Sequence, residues 1–429
     1  MKICVLGMWH LGTVTAACLA AAGFSVIGLD SNKEIIDGLS RGKLPIKEPG
    51  LENLVVAGTT KGLLSFTDSP DDITDSDILW VAYDTPVDEE DRADVDFVVE
   101  NVRSVFPFLK SQTLIIISSQ LPVGSIKTLE ELYHHDIPGG AASFACVPEN
   151  LRLGKAISVF THPDRVVAGV RTEKDQALIS RLLRPFTDNI IWMSVESAEM
   201  TKHALNSFLA VSITFINELA VICEQVGANV GDVEKGLKSD VRIGPGAYLR
   251  AGGPFAGGTL ARDINYLISF GQKNNLATPL ISGVLESNNT HKHWSRRAIK
   301  RVLNELHGKK VAVLGLTYKP GTNTLRRSES LEVCRWLNDQ GTLVSAYDPV
   351  IENLPDDAGF IRLCRSAQES LQGSHALLMG TEWPQFRDLK VEDIIQWMIH
   401  PVVIDPGSFL GATLGGDTRV TYLTVGRPS

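Results

Sequence analysis

The sequence predicts an α/β protein with two doubly wound, Rossmann-like domains joined by a long central helical segment. Three observations lead to this prediction. Short apolar runs alternate with helical or polar segments in the first part of the chain, a long run without Gly or Pro follows, and the opening pattern returns at Lys309. At 429 residues the chain is long enough for roughly two to three domains.

The opening pattern is strand, Gly turn, helix, strand. KICVLG is a short apolar run, residues 13–22 form a helix of small residues, and FSVIGLD is a second apolar run that ends in Asp30. Later apolar runs are DILWVAYD, TLIIISS, FACV and DRVVAGV. Apolar runs of this length are typical of strands buried on both faces of a parallel sheet.

The middle and the end of the chain follow a different order. One helix is predicted from about Ala198 to Gly227, and helical sequence continues from Arg262 to about Leu306. A second strand, Gly turn, helix, strand pattern then runs from KKVAVLGLTYKPGT to TLVSAYDP and ends in Asp348, with later strands at ALLMGTEW and PVVIDPG. We therefore expect domains over residues 1–195, 196–300 and 301–429.

Composition excludes several classes of protein. The net charge of -9 argues against a nucleic-acid partner, because neutralising phosphates requires clustered Lys and Arg. Six cysteines without metal-ligand spacing predict no metal site and a reducing, cytoplasmic environment. The start of the chain does not resemble a signal peptide. The apolar stretch from Phe208 to Val226 contains Asn217, Glu218 and Glu224, which predicts a buried helix rather than a membrane span.

The turn Gly7-Met8-Trp9-His10-Leu11-Gly12 carries the cofactor signal. A dinucleotide site uses one Gly for the tight turn, one for close approach of the pyrophosphate and one for helix packing, and Trp9 stands at the second of these positions. Asp30 offers a carboxylate to an adenosine ribose, which favours NAD over NADP. The alternative is that Gly7 and Gly12 only close a βα turn.

Further blocks make the chain resemble the UDP-glucose/GDP-mannose dehydrogenase family over nearly its whole length. The blocks follow the order of the family: the altered Gly turn, Glu48-Pro49-Gly50-Leu51, Thr85-Pro86, Pro122-Val123-Gly124, Pro148-Glu149-Asn150-Leu151, Pro163-Asp164-Arg165, Lys202 with Asn206, Asn217-Glu218, Arg242-Ile243-Gly244-Pro245, Gly257-Gly258 with Asp263, Gly315-Leu316, Lys319-Pro320, Arg326 and Asp348-Pro349. The resemblance implies an NAD-binding domain, a central helical dimerisation segment and a C-terminal domain that binds the nucleotide sugar.

The resemblance also implies a catalytic set. Lys202 and Asn206, one helical turn apart, match the family's proton acceptor and oxyanion stabiliser, and Asp263 matches an aspartate that manages a water and a proton. Glu149 matches the first glutamate of the family's PEFLxEG block. Without the resemblance, a structural salt bridge would be the alternative for Lys202 and Asp263.

The family's nucleophilic cysteine falls on Thr259, and a hydroxyl is a far poorer nucleophile than a thiol. Two further departures affect the same half of the reaction: Gln120 replaces the threonine before Pro-Val-Gly, and Leu153 replaces a second glutamate. The residues for hydride transfer are kept, whereas those for a thioester intermediate are not.

Remaining site residues follow from the resemblance alone. The expected cofactor-binding residues are Gly7, Trp9, Leu11, Gly12, Asp30, Lys33, Thr85, Gln120 and Arg326. The expected substrate-binding residues are Asn150, Leu151, Arg152, Lys202, Asn206, Arg242, Tyr248, Leu249, Gly252, Gly253 and Lys319. Arg242 matches a residue that crosses to a partner subunit, which predicts a homodimer or a higher homo-oligomer. Taken alone, Arg326-Arg327 would be read as surface charges.

The expected function is an NAD-dependent, single two-electron oxidation or reduction of a nucleotide-activated sugar, most simply a UDP-hexose. Three alternatives stay open: full oxidation to a uronic acid through an aldehyde hydrate with Glu149 as base, transient oxidation that gives epimerisation, and a non-catalytic protein that binds NAD and a nucleotide sugar. The joint presence of Lys202, Asn206 and Asp263 argues against the last.

Overall fold

A computed structural model describes residues 1–88, 93–256 and 258–428 of the chain. Gly257, one of the residues on which the resemblance rests, lies outside the described residues. The chain divides into two compact units, Met1–Leu205 and Asn206–Ser429.

The described residues of the first unit form an eight-stranded sheet. Its strands are β1 (Lys2–Leu6), β2 (Ser25–Leu29), β3 (Leu64–Thr67), β4 (Ile78–Val81), β5 (Leu114–Ile117), β6 (Ser143–Cys146), β7 (Val166–Gly169) and β8 (Ile190–Met193). The strand order is β3-β2-β1-β4-β5-β6-β7-β8, and the neighbours are parallel except β6 and β7, which meet in antiparallel fashion at Cys146 and Gly169. The strands β1, β4 and β5 are buried almost throughout, as expected for a sheet covered on both faces.

Helices cover both faces of this sheet. They are α1 (His10–Ala21), α2 (Lys33–Ser40), α3 (Leu51–Thr60), α4 (Val95–Ser104), α5 (Ser125–Asp136), α6 (Ala156–Thr161) and α7 (Glu173–Leu183). Two hydrophobic clusters form the core, and α1 contributes to one of them with small buried residues such as Ala16 and Ala17. Small side chains allow α1 to pack closely on the strands beneath it.

The predicted helical middle is present. It consists of α8 (Val195–Val226), in which the division between the two units falls, and of α9 (Val230–Ser239), α10 (Thr259–Lys273), α11 (Pro279–His291) and α12 (Trp294–Leu303). Within the described residues, α8 is the one helix long and apolar enough for a membrane span, with a mean hydropathy of 1.6 over its most apolar window. Length and composition alone do not separate a span from a core helix, and 44% of that window is buried in the protein.

A six-stranded parallel sheet is described in the second unit. Its strands are β9 (Lys310–Leu314), β10 (Leu343–Tyr347), β11 (Arg362–Leu363), β12 (Ala376–Met379), β13 (Val402–Ile404) and β14 (Thr421–Leu423). Its other helices are α13 (Glu329–Asp339), α14 (Ala367–Leu371), α15 (Val391–Trp397) and α16 (Gly411–Leu414). The strand order is β11-β10-β9-β12-β13-β14.

The predicted fold class, with two doubly wound sheets and a long central helix, is therefore confirmed. In each sheet the chain reverses its direction of growth beside the first strand, between β1 and β4 and between β9 and β12. Ligands of doubly wound folds bind at the carboxyl ends of the strands at such points, so the residues after β1, β4 and β9 are the first to inspect.

Candidate active site

The first Gly turn joins β1 to α1 and keeps the geometry of a dinucleotide site. Gly7 has φ of 94°, and a Cβ there would lie 2.7 Å from Cδ1 of Tyr83. A Cβ on Gly12 would lie 1.7 Å from the carbonyl oxygen of Gly7, so α1 approaches the turn too closely for any side chain at this position. Both glycines are therefore required by the backbone.

Asp30 follows β2 and faces the same turn. Its Oδ2 accepts a hydrogen bond from the N–H of Met8 at 2.6 Å, and its Oδ1 accepts one from the N–H of Asn32 at 2.9 Å. A carboxylate has about four acceptor positions, so capacity remains for a ribose diol. Lys33 is exposed on α2, 3.4 Å from the carboxylate of Asp68. These residues fit a dinucleotide at the turn.

Trp9 and its neighbours depart from an open phosphate-binding turn. Trp9 is 44% exposed beside the first turn of α1. His10 pairs with Glu48 at 2.9 Å, and Glu48 also accepts hydrogen bonds from the N–H groups of Gly154 and Ala156. Burial alone would raise the pKa of Glu48, but these hydrogen bonds outweigh it and lower the pKa.

Asp84 is a residue near the turn that sequence reasoning missed. It follows β4, and its Oδ2 accepts a hydrogen bond from the N–H of Leu11 at 3.2 Å. Desolvation by the surrounding protein raises the pKa of Asp84 above its usual range, although the N–H groups of Leu11 and His10 oppose the effect. Its position directly before Thr85-Pro86 is the signal that could have drawn attention to it.

Thr85 and Gln120, both expected near the cofactor, are in contact. The Thr85 hydroxyl donates to the Gln120 carbonyl oxygen at 2.8 Å, which joins the loops after β4 and β5. Both residues are buried.

Lys202 lies in a polar cluster with Glu149 at the end of the first unit. Its Nζ donates to the Glu149 carbonyl oxygen at 2.6 Å and lies 3.5 Å from both Glu149 Oε1 and Asn150 Oδ1. Glu149 Oε2 accepts from the N–H of Leu151 at 2.8 Å. The structure thus brings a lysine ammonium together with the predicted glutamate and with two residues of the predicted substrate loop; the third, Arg152, lies next in the chain.

A small cavity beside this cluster contains three further polar residues that the sequence did not reveal. Its lining includes Lys202, Glu149, Cys146, Glu199 and His203. Glu199 accepts hydrogen bonds from the N–H groups of two residues, Gly124 and Ile126, and burial raises the pKa of its carboxyl. Burial, reinforced by the charge of Glu199, raises the pKa of the Cys146 thiol well above its usual value. A thiol in this state is a poor nucleophile.

Asn206 and Asp263 meet inside the second unit. The Asn206 side-chain amide donates a hydrogen bond to Asp263 Oδ2, and both side chains are buried. Asp263 belongs to α10, four residues after Thr259. The pairing orients the Asn206 amide and confirms that these two predicted site residues are neighbours.

Thr259 is the exposed first residue of α10. Among the described residues, no group accepts a hydrogen bond from its hydroxyl in a way that could activate it. All six cysteines are buried and unpaired, and burial raises the pKa of the Cys18 and Cys334 thiols to about 12. Within the described residues, Thr259 therefore has no activating partner, and every cysteine is buried.

A second group of predicted substrate-binding residues, from Arg242 to Gly253, lies in the second unit. Asn217 holds it by accepting from the N–H of Gly252 at 3.0 Å and donating to the Gly253 carbonyl at 3.3 Å. Tyr248 is exposed, whereas Leu249 packs in the core of the unit, so only the backbone of Leu249 is available to a ligand. Arg242 is exposed and pairs with Asp240 at 2.7 Å.

The second Gly turn, after β9, is followed by a basic loop. Lys319 lies with its Nζ 5.7 Å from the ring centroid of Tyr318, and Arg326 is exposed a few residues before α13. These two cations are the predicted phosphate-binding residues of the loop. Among the described residues, no group of three or more His, Cys, Asp or Glu side chains is placed to hold a metal ion.

Comparison with known proteins gives matches along the whole chain. Residues 1–187 match the NAD binding domain of the UDP-glucose/GDP-mannose dehydrogenase family, residues 196–290 its central domain and residues 312–412 its UDP binding domain. UDP-glucose 6-dehydrogenase of Rhizobium meliloti (strain 1021) is 33% identical and covers 100% of both chains, and UDP-glucose 6-dehydrogenase TuaD of Bacillus subtilis (strain 168) is 32% identical over 100% of this chain and 94% of its own.

Solved structures agree with these matches. A UDP-glucose dehydrogenase from Pyrobaculum islandicum superimposes with a TM-score of 0.85 and 28% identity over 96% of each chain. A UDP-D-ManNAc dehydrogenase from Pyrococcus horikoshii superimposes with a TM-score of 0.86 and 25% identity, covering 100% of this chain and 99% of its own.

Proposed function

The chain belongs to the UDP-glucose/GDP-mannose dehydrogenase family and is an NAD-dependent oxidoreductase, and from that premise we propose that it carries out a single two-electron step on a nucleotide sugar. Bound NAD supplies the hydride acceptor. The observation that carries the proposal is Thr259, which stands where the family has its nucleophilic cysteine and is exposed, with no activating partner in the described part of the chain.

Lys202 is proposed to be the acid and base of this step. Its ammonium lies against the carbonyl and the carboxylate of Glu149, where it can hold or release a proton and stabilise an oxyanion. Asn206 is proposed as a hydrogen-bond donor to the reacting oxygen, oriented by Asp263. Because no thiol holds the first carbonyl product covalently, that product is free to leave after one hydride transfer.

We propose that Arg242, Tyr248, the backbone of residues 249–253 and Lys319 bind the nucleotide sugar, with a UDP-hexose as the first choice. The match to a UDP binding domain and the similarity to UDP-glucose dehydrogenases support this choice. An arginine fork and a lysine point charge suit a diphosphate.

We propose that the predicted domains, 1–195, 196–300 and 301–429, bind NAD, form the dimer and bind the nucleotide sugar, respectively. The buried, free cysteines support a cytoplasmic location.

Stoichiometry tests the proposal. The protein is incubated with NAD and a panel of UDP-, GDP- and dTDP-sugars, and NADH is counted against the product found by mass spectrometry. We expect about one NADH per sugar, a carbonyl or hydrated product, and no effect of thiol alkylation. Two NADH per sugar with a carboxylate product would refute the single step. An epimerised sugar without net NADH would indicate transient oxidation, and binding without turnover would indicate a non-catalytic protein.

Two variants assign the chemistry. Lys202→Met should lower kcat by about 10²-fold or more, because it removes acid/base catalysis and charge stabilisation from the remaining step. Thr259→Ala, the matched control on the other half of the family mechanism, should stay within about threefold of the parent. A large loss in Thr259→Ala would give the hydroxyl a catalytic role that the proposal denies it.

We also propose a homodimer formed through α8. Four apolar side chains of this helix are strongly exposed, at spacings of seven, seven and four residues: Phe208 (69%), Phe215 (46%), Ile222 (56%) and Val226 (69%). This spacing forms one seam, as in helix pairs. Light scattering should show at least a dimer, and Phe215→Asp should produce a monomer. Ile399→Asp, an exposed aliphatic position outside the seam, should not. A parent protein that is monomeric would contradict the proposal.

A further inference from the structure

The amino end of α1 is already occupied by an anion of the protein itself. The helix begins at His10, and the Asp84 carboxylate, from the loop after β4, accepts the Leu11 N–H at 3.2 Å and is also stabilised by the His10 N–H. No side chain of the helix caps these groups. Asp84 is 73 residues away in sequence and reaches them across the point where the sheet changes direction.

These N–H groups are the ones a dinucleotide needs. In a doubly wound domain the pyrophosphate binds at the amino end of the helix after the first strand, where free N–H groups and the helix dipole favour negative charge. Protein atoms surround the Asp84 carboxyl, but part of the side chain remains accessible to solvent, so a ligand at the turn would meet it directly. A carboxylate and a pyrophosphate cannot both accept the hydrogen bond of the Leu11 N–H.

Two charged groups act on Asp84 in opposite directions. The His10 ring, which pairs with Glu48 at 2.9 Å, favours the Asp84 carboxylate, and the like charge of Glu149 opposes it. Desolvation raises the pKa of the Asp84 carboxyl, so the cost of protonating it is smaller than for an ordinary aspartate.

We propose that Asp84 couples cofactor binding to the uptake of a proton: its carboxylate accepts from the amino end of α1 in the free protein, and it becomes protonated when the pyrophosphate of NAD takes that place. The neutral carboxyl then donates its O–H to a phosphate oxygen instead of repelling it. The inference rests on the proposed placement of NAD at the turn between Gly7 and Gly12.

Because NAD binding is coupled to protonation of Asp84, the affinity for NAD depends on pH. Because the bound state holds the proton more tightly, affinity for NAD is highest at acidic pH and falls as pH rises above the pKa of Asp84 in the free protein. The fall is at most about tenfold per pH unit and ends when the pKa of the bound state is passed. Removing the charge removes the dependence.

Calorimetric titration of the full-length protein with NAD, in buffers of different ionisation enthalpy, measures the coupling. The parent should take up close to one proton per NAD, whereas Asp84→Asn should take up about none and bind about tenfold tighter at neutral pH. Asp188→Asn, which removes one exposed charge elsewhere in the same unit, should behave as the parent. ADP-ribose, which carries the pyrophosphate, should reproduce the proton uptake, and adenosine should not.

Two results would overturn the inference. Weaker NAD binding by Asp84→Asn would mean that the carboxylate supports the cofactor, and unchanged proton uptake would mean that another group titrates.

Asp30→Ala separates a wrong role for Asp84 from a wrong placement of NAD. If Asp30→Ala alters NAD binding while Asp84→Asn does not, the role of Asp84 alone is wrong. If neither variant alters binding, NAD does not bind at this turn and both proposals fall.

Discussion

Gly7 and Gly315 each end the first strand of a doubly wound sheet, with φ of 94° and 89°. In each case an aspartate at the end of the second strand, Asp30 or Asp348, accepts a hydrogen bond from the backbone after the glycine. The sequence patterns are therefore equivalent, and so is the local geometry. The two aspartates differ in how many other groups they bind.

Five donors of the protein bind Asp348, and four of them share one oxygen. Its Oδ2 accepts from the N–H of Leu316 at 2.7 Å, from the N–H and the hydroxyl of Thr317 at 3.0 and 3.2 Å, and from the indole N–H of Trp383 at 3.2 Å. Its Oδ1 accepts from the N–H of Val350. Oδ2 of Asp348 therefore has no acceptor position left for a ligand. Asp30, with one bond to each oxygen, keeps an acceptor position on both.

The segments after the two glycines differ as well. α1 begins at His10, directly after its turn, so its amino end is close to any ligand there. α13 begins only at Glu329, and the intervening loop carries Lys319, Arg326 and Arg327. The first turn therefore presents backbone N–H groups, one of which Asp84 accepts, whereas the second is followed by cationic side chains. One sequence pattern thus leaves acceptor positions of its aspartate open in one unit and uses its aspartate as a structural brace in the other.

The largest expected effect is the loss of this brace. Asp348→Ala removes the acceptor of three backbone N–H groups and a hydroxyl, and one of the two acceptors of an indole N–H, which we expect to cost about 3 kcal/mol or more in the free energy of unfolding. Urea unfolding of the second unit, followed by Trp fluorescence, measures it. Asp30→Ala is the matched control and should cost about 1 kcal/mol. If the two variants lose the same free energy of unfolding, Asp348 is no stronger a structural brace than Asp30.

The next effect concerns Glu329, the first residue of α13, which follows the second Gly turn. Burial raises the pKa of Glu329 to about 8. A carboxyl with a raised folded-state pKa costs the protein stability as pH rises from the unfolded-state value, 4.5, to about 8. Glu329→Gln removes this loss and should stabilise the protein by about 2 kcal/mol above pH 8, since solvent reaches part of the side chain, and by little at pH 4.5. Thermal unfolding against pH tests this, and a gain independent of pH would contradict it.

A smaller effect concerns cofactor choice at the first turn. The Asp30 carboxylate would repel the 2′-phosphate of NADP, so the parent should prefer NAD. Asp30→Ala should reduce the ratio of kcat/KM for NAD over NADP by about tenfold or more. Asp348→Asn provides the control at the equivalent position and should leave that ratio unchanged. Comparable use of both cofactors by the parent would remove the argument for Asp30.

The smallest effect tests one bond of the brace. Trp383→Phe keeps the aromatic ring but removes the indole N–H that Asp348 and Thr317 share, and we expect a loss of about 1 kcal/mol in the free energy of unfolding. Combined with Asp348→Ala, the loss should be less than additive, because both changes remove the same hydrogen bond. A strictly additive double variant would show that the indole does not depend on Asp348.

The sequence by itself determined the fold class, the order of the elements and the family. Periodicity, Gly turns and ordered blocks are local or linear properties, so they can be recognised before any packing partner is known. The resemblance grouped Lys202 with Asn206 and Asp263. The hydrogen bond between Asn206 and Asp263 agrees with that grouping, whereas the contact of Lys202 with Glu149 was not expected.

Only the tertiary structure decided which of two equivalent Gly turns has a free aspartate and what stands at the amino end of α1. Trp383 reaches Asp348 from 35 residues away, and Asp84 reaches Leu11 from 73 residues away. Nothing in the local pattern around Gly7 or Gly315 records these partners. A hydrogen-bonding group is either satisfied by the protein or left for a ligand, and that depends on contacts made when distant segments pack together.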